Sequence, residues 1–173
     1  MGNALHLPSK NGNIDALRKI ISDNPNINLN SRNKSGNTPL HKCCQYGHEV
    51  IASELVSRGV DINVENRDKY TPLHFACMKG HTKTARELIA LGANMNLRGG
   101  VWNSTPLHWA CIHNHVDVIN ELVSRGADVN VKDDLGKIAF QYIKDENLRK
   151  KMVIYFFLIP KVIIIAKYDE FIL

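Results

Sequence analysis

One tetrapeptide, Thr-Pro-Leu-His, occurs three times and constrains the fold of this chain more than any other feature. The copies begin at Thr38, Thr71 and Thr105, so they are spaced 33 and 34 residues apart. Other positions recur in register with it, among them a Glu-Leu pair 16 residues after the threonine and a Gly-x-x-x-Asn segment 21 residues after it. Chance does not produce three copies in phase, and a period of this length is the signature of a repeat array.

Local residues predict a helical hairpin within each copy. The motif threonine is a good N-cap, and the proline after it suits the first helical turn, where no N–H partner is needed. Gly47 and Gly80 predict a left-handed residue at the end of the first helix, and Asn114 is the common substitute for glycine there. Apolar residues of the second helix in the first copy predict one buried stripe: Val50, Ile51, Leu55 and Val56.

A period of 33 residues that carries Thr-Pro-Leu-His resembles the ankyrin repeat, and the resemblance covers roughly residues 3 to 150. It implies an all-α solenoid of stacked helix-turn-helix units, with β-turn fingers between repeats. Terminal repeats need an altered outer face, and the two ends of the chain are degenerate copies. The predicted ankyrin domain spans 1–151, divided into an N-terminal capping repeat (1–32), three full repeats (33–65, 66–98 and 99–132) and a C-terminal capping repeat (133–151).

Residues 152–173 form an apolar tail that the repeat does not explain. Its apolar run is interrupted by Pro160-Lys161 and is shorter than the ~20 residues of a membrane-spanning helix. One interpretation is a last capping helix over 149–157, with Pro160 ending it. The alternative is a membrane anchor, which would make this a membrane-associated ankyrin protein.

Charge and cysteine content indicate the class of partner and the compartment. The net charge is +5 and the basic residues are scattered, whereas a nucleic-acid binder concentrates them on one face, so no nucleic-acid partner is expected. The start of the chain does not resemble a secretory signal. The cysteines are therefore expected to be reduced thiols in the cytoplasm, with the nucleus as the alternative, in a monomeric protein: Cys43, Cys44, Cys77 and Cys111.

The recurring His-x-x-Cys pattern resembles part of a zinc site, but the predicted fold argues against metal. Four ligands must converge on zinc, whereas each pair lies in a different repeat and neighbouring helices are about 8–10 Å apart. The resemblance implies that the motif histidines His41, His74 and His108 bond the motif threonine and nearby backbone. No phosphate loop, nucleophile motif or paired carboxylates are present, so the sequence predicts a non-enzyme without cofactor or metal.

The resemblance implies that a protein partner binds the concave face, which consists of the finger tips and the exposed side of the first helices. Aromatic residues and methionine beside basic residues are typical of interface hot spots. The alternative for some of them is packing against neighbouring fingers. The predicted function is a non-catalytic interaction module, namely an adaptor, scaffold or inhibitor. Its predicted partner-binding residues are Asn37, Tyr46, Arg67, Tyr70, Met78, Lys79, Trp102, Ile112 and His113.

The third finger is one residue longer than the others. Its sequence, Gly-Gly-Val-Trp-Asn over 99–103, predicts a flexible loop that pushes Trp102 outward. Asn103 stands where the first finger has a glycine and is able to adopt the left-handed conformation. Lys69 stands at the same place in the second finger, which predicts a distorted turn there.

Overall fold

The computed structural model describes residues 4–154, and the described chain folds into helices joined by tight turns. Their bounds are α1 His6–Asn11, α2 Ile14–Asp23, α3 Pro39–Tyr46, α4 Glu49–Ser57, α5 Pro72–Lys79, α6 Thr82–Ala90, α7 Pro106–Ile112, α8 Val116–Ser124, the 3-10 helix Ala139–Tyr142, and α9 Glu146–Val153. Within this part of the chain, β structure is limited to single bridges at the finger bases, Gly99 to Ser104 and Lys132 to Ile138. The predicted all-α architecture is confirmed.

The helices form two layers. The first helices α1, α3, α5 and α7 pack side by side in chain order, followed by the 3-10 helix, and α4, α6 and α8 pack beside them as a second layer. Leucines of both layers are buried between them and are at most 1% exposed: Leu40, Leu73, Leu107, Leu55, Leu88 and Leu122. Burying each leucine contributes about 2 kcal/mol, so the repeating leucines hold neighbouring hairpins together. Of the predicted stripe, Ile51 and Leu55 are buried, whereas Val50 is 59% exposed.

A capping box begins each of the three full-repeat first helices. The motif threonine hydroxyl accepts from the amide of the histidine three residues later, and that histidine's Nδ1 accepts from the threonine amide. The N–Nδ1 distances are 3.1, 3.0 and 3.3 Å for Thr38, Thr71 and Thr105. Histidine thus takes the place that Glu or Gln occupies in the common capping box. The predicted helix starts are confirmed.

Left-handed residues end the first helices as predicted. The φ angles are 80° at Gly47, 73° at Gly80 and 57° at Asn114. Each finger, the tight turn before a motif position (33–37, 66–70, 99–104 and 133–137), also contains one such residue near its end, and Lys69 has a φ of 62°. The second finger is nevertheless regular, because the Asn66 side chain accepts from the amides of Asp68 and Tyr70 at 3.0 and 2.9 Å. The predicted distortion of this turn was wrong: the unfavourable backbone is confined to Lys69.

Replacing Lys69 by glycine is expected to stabilise the protein. A non-glycine residue in the left-handed region destabilises the folded state by about 1–2 kcal/mol. Glycine removes this strain, but it also makes the unfolded chain more flexible, which offsets part of the gain in stability. We expect the free energy of unfolding of Lys69→Gly to rise by about 0.5–1 kcal/mol, measured by urea denaturation. Asp68→Gly in the same finger is the control, because Asp68 is not left-handed and should lose stability. A loss in both variants would contradict the argument.

The C-terminal cap departs from a full repeat. Ala139–Tyr142 is a 3-10 turn in place of a first helix, and α9 follows it. α9 begins at Glu146, three residues before the predicted start, because the Asp145 carboxylate accepts from the amide of Leu148 at 3.0 Å and caps it. It continues past position 151, the predicted domain boundary. The predicted helix end at residue 157 and the rest of the tail lie outside the described residues.

None of the helices between residues 4 and 154 has both the length and the apolar character needed to cross a bilayer.

Candidate functional site

Backbone hydrogen bonds join the four fingers into one ladder. Each finger donates one amide to a carbonyl of the finger before it. The bonds run from Arg67 to Ser35 at 3.3 Å, from Gly100 to Asp68 at 2.8 Å and from Asp134 to Trp102 at 3.0 Å. The finger side chains are therefore fixed relative to one another by backbone contacts.

The motif histidines form a second set of links between repeats. Each Nε2 lies within hydrogen-bond distance of a finger carbonyl of the following repeat. The pairs are His41 with Tyr70 at 2.9 Å, His74 with Ser104 at 3.0 Å, and His108 with Lys137 at 3.0 Å. Because Nδ1 accepts from the threonine amide, Nε2 carries the proton and donates, and the ring is neutral. Both ring nitrogens are used in these bonds, as the resemblance implied.

Burial keeps these histidines neutral. It lowers the pKa of His41 and of His74 to about 4, and it also lowers the pKa of His108. A protonated ring would place an N–H against the threonine amide, which cannot accept, so the charged form would break the capping box as well as lose hydration.

Another histidine set, which sequence reasoning missed, links the repeats in the opposite direction. Each of these histidines precedes a second helix, and its Nε2 contacts a carbonyl in the last turn of the preceding first helix. The pairs are His48 with Lys10 at 2.9 Å, His81 with Gln45 at 3.2 Å, and His115 with Met78 at 3.1 Å. The signal was present in the recurrence of this histidine seven residues after the motif histidine in all three copies.

Five aromatic side chains form a continuous cluster where the last three fingers meet the first helices. This aromatic cluster consists of Tyr70, Phe75, Trp102, Trp109 and Tyr142. The ring of Tyr70 lies 5.7 Å from Phe75 and 5.6 Å from Trp109. Trp102 stacks between Trp109 at 6.0 Å and Tyr142 at 6.4 Å, with ring planes within 16° of parallel. The cluster thus extends over three consecutive units, the last two full repeats and the C-terminal cap, and crosses the two boundaries between them.

Three of these rings were absent from the sequence prediction. Phe75, Trp109 and Tyr142 each follow the motif histidine or its equivalent in the cap. In α3 that position is occupied by Lys42, and in the cap the Tyr142 hydroxyl donates to Asp133. The residue type at this position differs from copy to copy, and that variability was the signal that could have identified the position as part of a binding surface.

Most of the predicted partner-binding residues lie on this same face. Tyr46 and Trp102 are 41% and 37% exposed. The structure exposes Arg67, Lys79 and His113, and half-buries Tyr70, Met78 and Ile112. The ring of His113 stacks on Trp109 at 6.1 Å, and burial lowers the pKa of His113, as do nearby His115 and Lys79.

Asn37 requires a correction, because its side chain is buried. Its amide oxygen accepts from the Asn66 side chain at 2.8 Å, and its carbonyl accepts from His6 Nε2 at 2.8 Å. Asn37 therefore joins the first two fingers and is 7% exposed, which leaves little of it for a partner to contact.

The two glycines of the third finger have a packing role that the sequence analysis did not predict. A Cβ on Gly99 would lie 2.0 Å from the Lys69 carbonyl oxygen, and a Cβ on Gly100 would lie 2.3 Å from the ring of Tyr70. The two glycines therefore permit close packing of the second finger and its tyrosine. Trp102 is exposed on one side only, because its ring is held between two other aromatic rings.

The regularly stacked helical hairpins form a repeat scaffold. Its candidate site is an exposed surface that extends over several repeats. A family model described as ankyrin repeats (3 copies) matches residues 2–66 and 51–133. The chain belongs to the ankyrin-repeat family, whose members generally mediate protein–protein interactions and are typically non-catalytic.

A curated protein is similar to part of this chain. The SMC5-SMC6 complex localization factor protein 1 of Bos taurus is 38% identical to this chain over 55 residues. That match covers 32% of this chain and 5% of the Bos taurus protein. The similarity thus extends over less than two repeats of a much longer protein.

Proposed function

We propose that this chain binds a protein partner through the face formed by its fingers and first helices, as an adaptor, scaffold or inhibitor. The aromatic cluster is the observation that carries this proposal. Aromatic side chains supply most of the binding energy at many interfaces, and here they extend over neighbouring repeats beside exposed Tyr46, Arg67 and Lys79.

The links between repeats support the same proposal. The finger ladder and both histidine sets cross the boundaries between neighbouring repeats, so the cluster is held in place before a partner arrives. A preorganised face loses little conformational freedom on binding. The affinity of such a surface therefore depends on the contacts themselves, with little offset from ordering the backbone.

The cytoplasm is the compartment we propose, with a monomeric chain. Cys77 and Cys111 are fully buried thiols, and burial raises the pKa of both. Buried, protonated thiols suit a reducing compartment, where they behave as small apolar side chains.

The function is tested by selecting ligands for the full chain and then removing part of the cluster. Peptides selected from a randomised display library on immobilised protein are expected to bind Trp102→Ala at least about tenfold more weakly, which corresponds to ~1.4 kcal/mol. Val50→Ala is the matched control, since Val50 is a 59% exposed apolar residue on the second-helix layer. It should change the Kd by less than about twofold.

Thermal unfolding of both variants separates loss of the contact from loss of the fold. Trp102→Ala removes two stacked ring contacts, each worth about 0.5–1.5 kcal/mol, so a modest decrease in Tm is expected while the helical circular dichroism is retained. Equal affinity of the folded Trp102→Ala protein and of the wild type would exclude this surface as the binding site.

A further inference from the structure

We infer that the partner presents an acidic segment with an aromatic or aliphatic anchor. This inference deepens the proposed function and rests on it. It is carried by the distribution of charge between the two helical layers, together with the position of the aromatic cluster.

The two layers carry opposite charge. The first helices α1, α3, α5 and α7 contain three lysines, Lys10, Lys42 and Lys79, and no Asp or Glu. The second helices α2, α4, α6 and α8 contain seven carboxylates and four basic side chains. A chain with scattered basic residues in sequence therefore presents a positive face in three dimensions.

Two carboxylates of the second layer are each paired with two arginines. Glu54 pairs with Arg18 and with Arg58 at 2.7 Å each, and hydrogen bonds from these two arginines lower the pKa of Glu54. Glu121 pairs with Arg86 at 2.9 Å and with Arg125 at 3.1 Å. These two carboxylates are therefore engaged within the second layer and do not reach the lysines of the first layer.

The three lysines of the first layer form no ion pair with a carboxylate of residues 4–154. Lys10 lies over the ring of Tyr46 at 5.4 Å, and Lys42 donates to the Gln45 side chain at 2.9 Å. Their charges are therefore available to a ligand at the exposed edge of the first helices.

The neighbouring fingers extend the positive charge. The first two fingers contain Lys34, Arg67 and Lys69, and Asp68 is their one acidic residue. The carboxylates of the fourth finger are engaged elsewhere, because Asp134 accepts from Arg98 at 2.9 Å and Asp133 accepts from the Tyr142 hydroxyl.

The charges and the rings occupy successive parts of the same face. The lysines lie on α1, α3 and α5, whereas the aromatic cluster is concentrated around α7 and the C-terminal cap. Three adjacent helices at ~10 Å spacing span about 20 Å, or roughly six residues of extended chain. We therefore expect an acidic stretch of that length over the lysines, with its apolar anchor beside Trp102 and Tyr142.

A charge-reversal experiment tests the inference with the full chain. The probe is a randomised phage-display library of peptides about 12 residues long, enough to cover the lysines and the cluster together. Peptides enriched on the wild type are expected to be rich in Asp and Glu and to contain an aromatic or aliphatic residue. Their binding should weaken as ionic strength rises, because exposed charges are screened.

Lys42→Glu/Lys79→Glu is expected to weaken binding of the selected acidic peptides by at least about tenfold. Lys19→Glu/Lys83→Glu is the matched control, with the same change in net charge on the exposed side of α2 and α6, and it should change the Kd by less than about twofold. The Kd of the neutral double variant Lys42→Gln/Lys79→Gln should lie between the Kd of the wild type and that of the charge-reversal variant. If the charge-reversal variant does not fold, the neutral variant still tests whether the lysine charges contribute to binding.

The outcomes distinguish the two proposals. Enrichment of peptides without excess carboxylates, or equal binding by the reversed and control proteins, would overturn the acidic segment and leave protein binding in place. A library that yields no ligand dependent on the aromatic cluster would overturn the proposed function as well. Binding of a single-stranded oligothymidylate at the same face, with no peptide ligand, would assign the lysines and rings to nucleic acid and overturn both.

Discussion

Acidification from pH 7 to pH 4 is expected to remove a large part of the stability of this protein through two buried histidines. Burial lowers the pKa of His41 and of His74 from 6.5 to about 4. The unfolded chain therefore takes up two more protons than the folded chain between these values. Stability from both residues is complete above about pH 6.5 and is lost as pH falls toward 4. The loss is about 3 kcal/mol for each histidine, against a typical total of ~5–15 kcal/mol.

Urea denaturation at a series of pH values measures this effect. Near pH 5 the free energy of unfolding should change by about 2–3 kcal/mol per pH unit, since each proton taken up contributes ~1.4 kcal/mol. His41→Gln/His74→Gln keeps a side chain that is able to complete the capping box but has no titrating ring. Its stability is expected to be lower at pH 7 and much less sensitive to acid. A wild-type slope near zero over this range would show that these rings are not buried neutral.

Gly80→Ala is expected to destabilise the protein by about 3 kcal/mol, which combines a left-handed alanine with a displaced histidine. A Cβ at this position would lie 2.6 Å from Nδ1 of His115, and the φ of Gly80 is 73°. The ring cannot stay in place against the new methyl group, so the bond from His115 to the Met78 carbonyl would be weakened as well. The change in the urea midpoint measures the loss.

Gly92→Ala is the matched control for the backbone part of this effect. Gly92 has a φ of 94°, but a Cβ there would meet nothing within 4 Å. It should lose only about 1–2 kcal/mol from the left-handed backbone. The difference between the two variants reports the packing of the His115 ring on the glycine. Equal losses would mean that the ring moves aside without cost.

The packing of a histidine ring also explains why glycine ends the first helix in three units and asparagine ends it in the fourth. Preference for the left-handed conformation alone does not explain this difference. Gly12, Gly47 and Gly80 each receive the ring of His48, His81 or His115 within 2.8 Å of where a Cβ would stand. Asn114 occupies the corresponding place in the last full repeat, and the chain contains no histidine after His115. A side chain is tolerated there because, within residues 4–154, no histidine of a following unit packs its ring on this position.

The architecture was predictable because its determinants are local and recur. Thr71 and Pro72 specify a helix start whatever surrounds them, and Asn114 specifies a left-handed end. Each of these local preferences is weak, but their recurrence in three copies at the same spacing makes the fold predictable. The early start of α9 at Glu146 was missed because a degenerate cap has no second copy against which Asp145 could be recognised as an N-cap residue.

The site was predictable in position but only partly in detail. Tyr46, Lys79 and His113 lie exposed as predicted, since their place in the repeat determines their direction. Asn37 was misjudged because its surroundings come from another finger: the Asn66 side chain covers it. Contacts between residues about 30 positions apart leave no trace in the spacing of a single motif.

Each of the three full repeats donates one histidine bond forward and one backward, and the first two also offer a carbonyl acceptor for a bond from each neighbour. An in-frame duplication of 33 residues would therefore arrive with its own donors and acceptors already matched to both neighbours. Such a scaffold is able to lengthen by tandem copying without new contacts having to arise first. Every added copy would bring another variable position after its motif histidine, on which a different recognition surface can evolve.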